Sequence, residues 1–136
     1  MTLEDFIEAK RPFTQDDIDN ICQFAGRALP KEYCDFVMKN GGAYVGGLVD
    51  GSDELPIDGF CDVSRVMSIL RSLSNVREAG AIPFADCVLG NLWVFDEGNC
   101  IHYINFYGGK TKTLKVSSSF ADFAARIMPD PIEIAQ

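Results

Sequence analysis

The second half of the chain sets the strongest limit on what it can fold into. Ile82-Pro83-Phe84-Ala85, Asn91-Leu92-Trp93-Val94-Phe95 and the stretches 100–107 and 111–116 are aromatic and β-branched runs, the residue types that suit a pleated, half-buried surface. The tetrapeptide Asp96-Glu97-Gly98-Asn99 and the dipeptide Gly108-Gly109 separate the last three runs. Turns that short favour antiparallel hairpins, so this half reads as a meander of strands.

The rest of the chain is largely helical in texture. The first 40 residues read as three short helical pieces. Thr2 with Asp5 and Thr14 with Asp17 have capping-box spacing, with Asp where Glu or Gln is usual. Leu3/Phe6/Ile7 and Ile18/Ile21/Cys22/Ala25 recur at i, i+3, i+4, which places each set on one helix face. Pro30 fits the first turn of a third helix, where its missing N–H costs no bond. Tyr33, Phe36 and Val37 follow on one side, and Asn40-Gly41-Gly42 ends the helix with a glycine free to take positive φ. Residues 43–49 and 60–63 read as short β segments joined by a loop rich in Asp, Gly and Pro. Ser64 is expected to cap a helix with the stripe Val66/Ile69/Leu70/Leu73, ending near Asn75. Ser119 with Asp122 opens a last helix, whose stripe Phe120/Phe123/Ala124/Ile127 stops before Pro129. The expected class is α+β, a single domain over 1–136 with a frayed tail over 129–136.

A chain of 136 residues buries roughly 68% of its unfolded surface, enough for one core. Its 20 Asp and Glu against 12 Lys and Arg leave a net charge of −8. That balance provides no basic footprint for a phosphate backbone, which argues against nucleic acid and favours a basic partner. The acidic, polar start and the lack of any run near 18 apolar residues lead us to expect neither a secretion signal nor a membrane span. Five cysteines, at 22, 34, 61, 87 and 100, form no C-x-x-C pair. They read as buried free thiols of a reducing, cytoplasmic compartment.

Catalytic motifs are sparse. Gly108-Gly109-Lys110-Thr111 resembles the end of a phosphate-binding loop, but Ile104 stands where the pattern needs glycine and a strand follows where it needs a helix. Gly41-Gly42-Ala43-Tyr44-Val45-Gly46-Gly47 has no G-x-G-x-x-G spacing. His102 is the only histidine and falls in an expected strand, which leaves little for general-base or metal chemistry. We expect no cofactor, no metal and no enzyme, an activity built on carboxylates or on Cys61 or Cys87 being the remote alternative.

Acid distribution is more informative. Between Asn40 and Ser64 stand Asp50, Asp53, Glu54, Asp58 and Asp62, with no Lys or Arg. The plain reading is a solvated loop, since Asp favours turns. The sharper reading is a negative patch that recognises a basic surface and raises its on-rate. Asp50-Gly51-Ser52-Asp53-Glu54 lacks the ligand order of a calcium loop. Tyr44 and Tyr107, both beside glycines, are candidate aromatic anchors for such a partner.

Three segments resemble motifs of the SUKH superfamily, the Smi/Knr-type proteins. Leu29-Pro30-Lys31-Glu32-Tyr33-Cys34-Asp35-Phe36-Val37-Met38-Lys39-Asn40-Gly41-Gly42 is similar to its opening motif. Ile82-Pro83-Phe84-Ala85 with Gly90-Asn91-Leu92-Trp93-Val94-Phe95-Asp96 resembles its second motif. Ser118-Ser119-Phe120-Ala121-Asp122-Phe123 resembles its closing helix. The resemblance implies an α+β domain with a central antiparallel sheet flanked by helices, and no recognised enzymatic chemistry. Leu29, Tyr33, Phe36, Phe84, Phe95, Phe120 and Phe123 are then core residues, while Gly41, Gly42 and Gly90 serve the backbone. Bacterial members are mainly inferred to be immunity proteins that block polymorphic toxins, often nucleases or deaminases; fungal members are regulatory hubs in cell-wall signalling. The leading expectation is therefore an immunity protein that binds a cognate toxin or another basic protein, as a monomer or homodimer. The alternative is a regulatory protein- or ligand-binding module without a toxin.

Overall fold

The capping box read at Thr14 forms. Its hydroxyl accepts the Asp17 N–H at 3.1 Å and the Asp17 carboxylate accepts the Thr14 N–H at 2.8 Å. The helix it starts, α1 (Gln15–Ala25), buries Ile18 and Ile21 and ends at Gly26 with φ +78°. The computed structural model of the protein describes residues 1–73, 80–106 and 111–132. Thr2 likewise opens a turn at Leu3–Asp5, but this is a short 3₁₀ turn and not a helix. Tertiary bonds override the stripe there, because the next residues run extended. Glu8 and Tyr44 exchange two backbone bonds of 2.9 Å, Lys10 N–H donates to Asn40 and Phe13 N–H to Val37. This strap crosses the end of α2 (Lys31–Asn40). Gly41, at φ +62°, is required here, since a Cβ would lie 2.1 Å from the Arg11 carbonyl oxygen.

The strands are β1 (Tyr44–Val49), β2 (Pro56–Phe60), β3 (Ile82–Asp86), β4 (Leu92–Phe95), β5 (Ile101–Asn105), β6 (Lys112–Ser117) and β7 (Ile127–Pro129). They form one sheet in the order β6-β5-β4-β3-β2-β1-β7, and each neighbouring pair is antiparallel. The class is α+β with a central antiparallel sheet and helices against it, as expected. Two strands depart from the sequence reading. The Asp- and Gly-rich loop contains β2, which Pro56 can begin because a first strand residue gives up no needed N–H. Ile127 leaves the last helix, α4 (Phe120–Ala125), and starts β7 instead. Pro129 faces Gly47 there, and the Asp130 N–H donates to the Gly46 carbonyl. Residues 129 and 130 of the expected tail are thus paired to β1, while 133–136 lie outside the described residues.

All four residues of β4 are buried, so both faces of this interior strand are covered. Alternation puts Trp93 and Phe95 on one face and Leu92 and Val94 on the other. On the first face Phe95 stacks on Phe84 at 4.2 Å, and Tyr33 of α2 meets both edge-on, at 5.2 Å and 5.9 Å. Phe120 and Phe123 of α4 complete this cluster, with Phe123 4.9 Å from Trp93. On the second face α3 (Val63–Ser72) lies along β3, and its Ile69 shares a small cleft with Leu92. Arg27, just past α1, ties the helices to the β4–β5 turn. Its guanidinium donates to the carbonyls of Gly80, Phe95 and Asp96 and to the Asn99 side chain.

The start of α3 corrects another expectation. Asp62, not Ser64, is the N-cap, its carboxylate accepting the Arg65 N–H at 2.8 Å. An Asp two residues earlier competes for the same free amides, and Ser64 is left on the exposed side of the first turn. The expected end near Asn75 falls outside the described residues. Urea unfolding should show Asp62→Ala costing about 1 kcal/mol of stability and Ser64→Ala close to nothing. The reverse order would return the cap to Ser64.

Candidate functional site

The connection from β1 to β2 is a tight turn. Asp50 and Gly51 both take positive φ, +57° and +68°, and the Ser52 and Leu55 N–H groups donate back to Val49 and Ser52. This coil holds Asp53 and Glu54 outward in water. Arg126, between α4 and β7, anchors it. Its Nε and Nη2 bind the two Asp50 oxygens at 2.9 and 2.7 Å, while Nη1 donates to Asp122 at 2.9 Å and to the Val116 carbonyl of β6 at 2.8 Å. The Asp50 N–H also donates to the Arg126 carbonyl. One side chain thereby fixes the β1–β2 turn relative to β6.

Between these two walls lies an open groove of about 610 Å³. Ser52, Asp53, Glu54, Leu55 and Pro56 form one wall, Lys112, Thr113 and Leu114 the other, with Leu89, Asn91, Tyr103 and Asn105 between. Register explains the membership: Leu114 pairs with Tyr103 and Lys112 with Asn105, so each pair shares a face. The floor is polar and satisfied. Asn91, 2% exposed, donates to the Tyr103 hydroxyl at 3.0 Å and accepts the Phe106 N–H at 3.0 Å. The Cys87 sulfur sits 3.6 Å from the same hydroxyl. Burial first, and then the contact with Cys87, pushes the Tyr103 phenol up to about 12, so it stays protonated as a hydrogen-bonding group at neutral pH. At the rim the β3–β4 connection lifts Val88 and Leu89 into solvent, 89% and 73% exposed. The Asp58 carboxylate holds that connection by accepting the Val88 N–H.

The structure therefore separates the five acids that the sequence groups. Asp50 is committed to Arg126 and Asp62 to the α3 cap, where it borders a second cleft with Lys10 and Arg11. Asp58 braces the Val88 loop. Asp53 and Glu54 line the groove together, and neither makes an ion pair or an acceptor contact through its carboxylate among the described residues. Tyr44 stands at the far end of β1 from this turn, with its ring against Gly46. Tyr107 lies outside the described residues. Sequence reasoning missed Leu89 and Leu114: each sits in a run that reads as strand or turn, and nothing in the alternation marks them as exposed.

Of the groups considered for chemistry, Cys87 lies buried beside the groove floor, and His102 and Cys61 are placed elsewhere. His102 Nε2 lies 2.8 Å from the Asp96 carboxylate on a strand, away from the groove. Partial burial works against it, but hydrogen bonds from His102 and from the Cys100 and Gly98 amides still hold Asp96 below the usual carboxylate range. The five cysteines are free, with Cys61 and Cys87 buried and Cys22, Cys34 and Cys100 half-buried. Burial pushes the Cys61 thiol well up and Cys34 to about 11, which suppresses the thiolate that a nucleophile needs. Among the described residues no group of three or more His, Cys, Asp or Glu could hold a metal ion, and no helix is long and apolar enough to cross a membrane.

The Arg126 anchor has a pH signature. Hydrogen bonding to Arg126 lowers the Asp50 carboxyl, and Ser117 followed by Arg126 lowers Asp122. A folded value below the unfolded one stabilises the protein above the unfolded carboxylate range, about pH 4. That contribution is lost as pH falls through the depressed folded values. Urea midpoints taken from pH 6 down through that range should fall less steeply for Asp50→Asn than for the unsubstituted protein; parallel curves would show that the pair contributes nothing measurable.

Compared with known proteins, residues 12–126 match the family model described as SMI1 / KNR4 family (SUKH-1). Among curated proteins none matches the chain.

Proposed function

The chain belongs to the SMI1 / KNR4 family (SUKH-1), and from that footing we propose that it is a non-enzymatic binding protein of the immunity type, which blocks a basic toxin by covering its substrate surface. One observation carries this reading. The two acids of the 50–62 stretch without a partner among the described residues stand on the wall of one open groove, beside exposed aliphatic side chains.

Each component has a distinct physical role in association. Exposed, unpaired acids on a chain of net charge −8 accelerate encounter with a cationic surface and select against acidic ones. Leu89 and Leu114, 73% and 56% exposed, supply the apolar area that slows dissociation once water is expelled. A nuclease or deaminase toxin suits this surface, because its own basic groove is shaped for an anionic substrate that Asp53 and Glu54 imitate. Inhibition then needs no chemistry. Occupation of the toxin's groove is sufficient, and the protein acts in the cytoplasm where such a toxin would strike.

The test begins with capture from the host lysate at low salt, elution by rising salt, and expression of the captured protein's C-terminal domain alone. That domain should arrest growth, and co-expression of this protein should restore it. Asp53→Lys with Glu54→Lys should reduce the association rate about tenfold or more and flatten its salt dependence, with protection lost. Full protection by the doubly substituted protein would remove the groove acids from the argument. Capture of housekeeping proteins alone, with no growth-arresting domain, would favour a regulatory module of the same family.

A further inference from the structure

The sheet ends at β6, the wall of the groove opposite the acids. Its six residues form the terminal strand, and residues 112–115 are exposed. Antiparallel pairing to β5 uses the backbone groups of alternate residues. The others point outward, where no backbone partner meets them among the described residues. Such an edge is a template for one more strand. We propose that the partner enters as an extended segment that adds a strand to β6, with an aliphatic side chain beside Leu114 and a lysine or arginine reaching across the groove to Asp53 and Glu54. This rests on the groove being the partner's site, and it names how the site is filled.

Two features decide the occupant. Lys112 and Lys115, which make no ion pair among the described residues, lie on this edge on either side of Leu114. Opposite residues of an antiparallel pair share a face, so a second copy paired through β6 takes a two-fold register centred on Thr113 or on Leu114, which sets Lys112 or Lys115 of one copy diagonally beside the same residue of the other. Like charges at that separation repel, so the edge disfavours a second copy and favours a different protein. The far wall supplies the second feature. Its two carboxylates, unpaired among the described residues, line the groove, where Lys112 on the opposite wall is the one Lys or Arg among the described lining residues, and this charge selects a basic side chain on the groove face of the added strand. Side chains of a strand alternate between faces, so the recognised segment carries its aliphatic and basic residues at every second position.

The probe is a phage-displayed library of random peptides panned against the whole protein, with the best peptide then measured by fluorescence anisotropy. Enriched sequences should carry an aliphatic residue and a Lys or Arg two positions apart, on one face of the strand. N-methylation of backbone amides on the edge-pairing side of the peptide should weaken binding about fivefold to tenfold per site, and methylation of the intervening amides should not. Panning against Asp53→Asn with Glu54→Gln should lose the basic preference and keep the aliphatic one. Proline at Thr113 or at Leu114 should separate the two backbone directions. The substitution at the inward residue lowers the melting temperature, while the one at the outward residue leaves folding intact and abolishes peptide binding. No enriched peptide, enriched acidic peptides, or indifference to N-methylation would overturn the proposal. Peptide selection that behaves as stated, together with failed protection from any captured toxin, would instead count against the toxin reading and leave strand addition standing.

Discussion

One arginine organises the functional end of this molecule. Arg126 binds Asp50 through two nitrogens and uses the third for Asp122 and the Val116 carbonyl. It thus joins three pieces of chain that share no local structure: the β1–β2 turn, the last helix and the edge strand β6. A planar guanidinium suits this position because its donors are fixed in a fork, so each bond restricts the others. The spacing of the two groove walls follows from that geometry. Loss of a comparable surface ion pair elsewhere, such as Lys31 with Asp35 on α2, would relax only one exposed helix face.

The groove also depends on what the aromatic core covers and what it leaves open. Tyr33, Phe84, Phe95, Phe120 and Phe123 fill the space between the sheet and helices α2 and α4. These rings cover β3 and β4 but do not extend over β6, where four consecutive residues are exposed. The face that the helices leave bare becomes the groove, floored by Tyr103 and Asn91. Their mutual hydrogen bond lets polar atoms sit buried there without cost to stability. A satisfied floor also means that new contacts must come from the rim, where Leu89, Leu114, Asp53 and Glu54 stand.

Much of the architecture is legible in the sequence, for a local reason. The capping box at Thr14, the cap at Ser119 and the Phe95-to-Ile101 turn all arise from residues within a few positions of each other. The misread segments are those decided by partners distant in sequence. Leu3, Phe6 and Ile7 have a helical stripe, yet bonds from Glu8 to Tyr44 draw the chain into an extended strap. Ile127 continues the apolar spacing of α4, yet pairing with Val49 makes it a strand. Pro56, Asp58 and Gly59 conceal β2, because its stability comes from neighbours on both sides and not from its own propensities.

The candidate site divides in the same way. Sequence alone determined the fold class, the family motifs, the aromatic core and the cluster of acids after β1, since each is expressed in composition or short-range spacing. Only the tertiary structure decided which acids are available. Asp50 meets an arginine 76 residues away, Asp62 turns into a helix cap, and Asp58 braces a loop, while Asp53 and Glu54 are left facing β6. A charge counted along the chain is available for binding only if folding brings no partner to it, and that depends on long-range geometry which residue order does not carry.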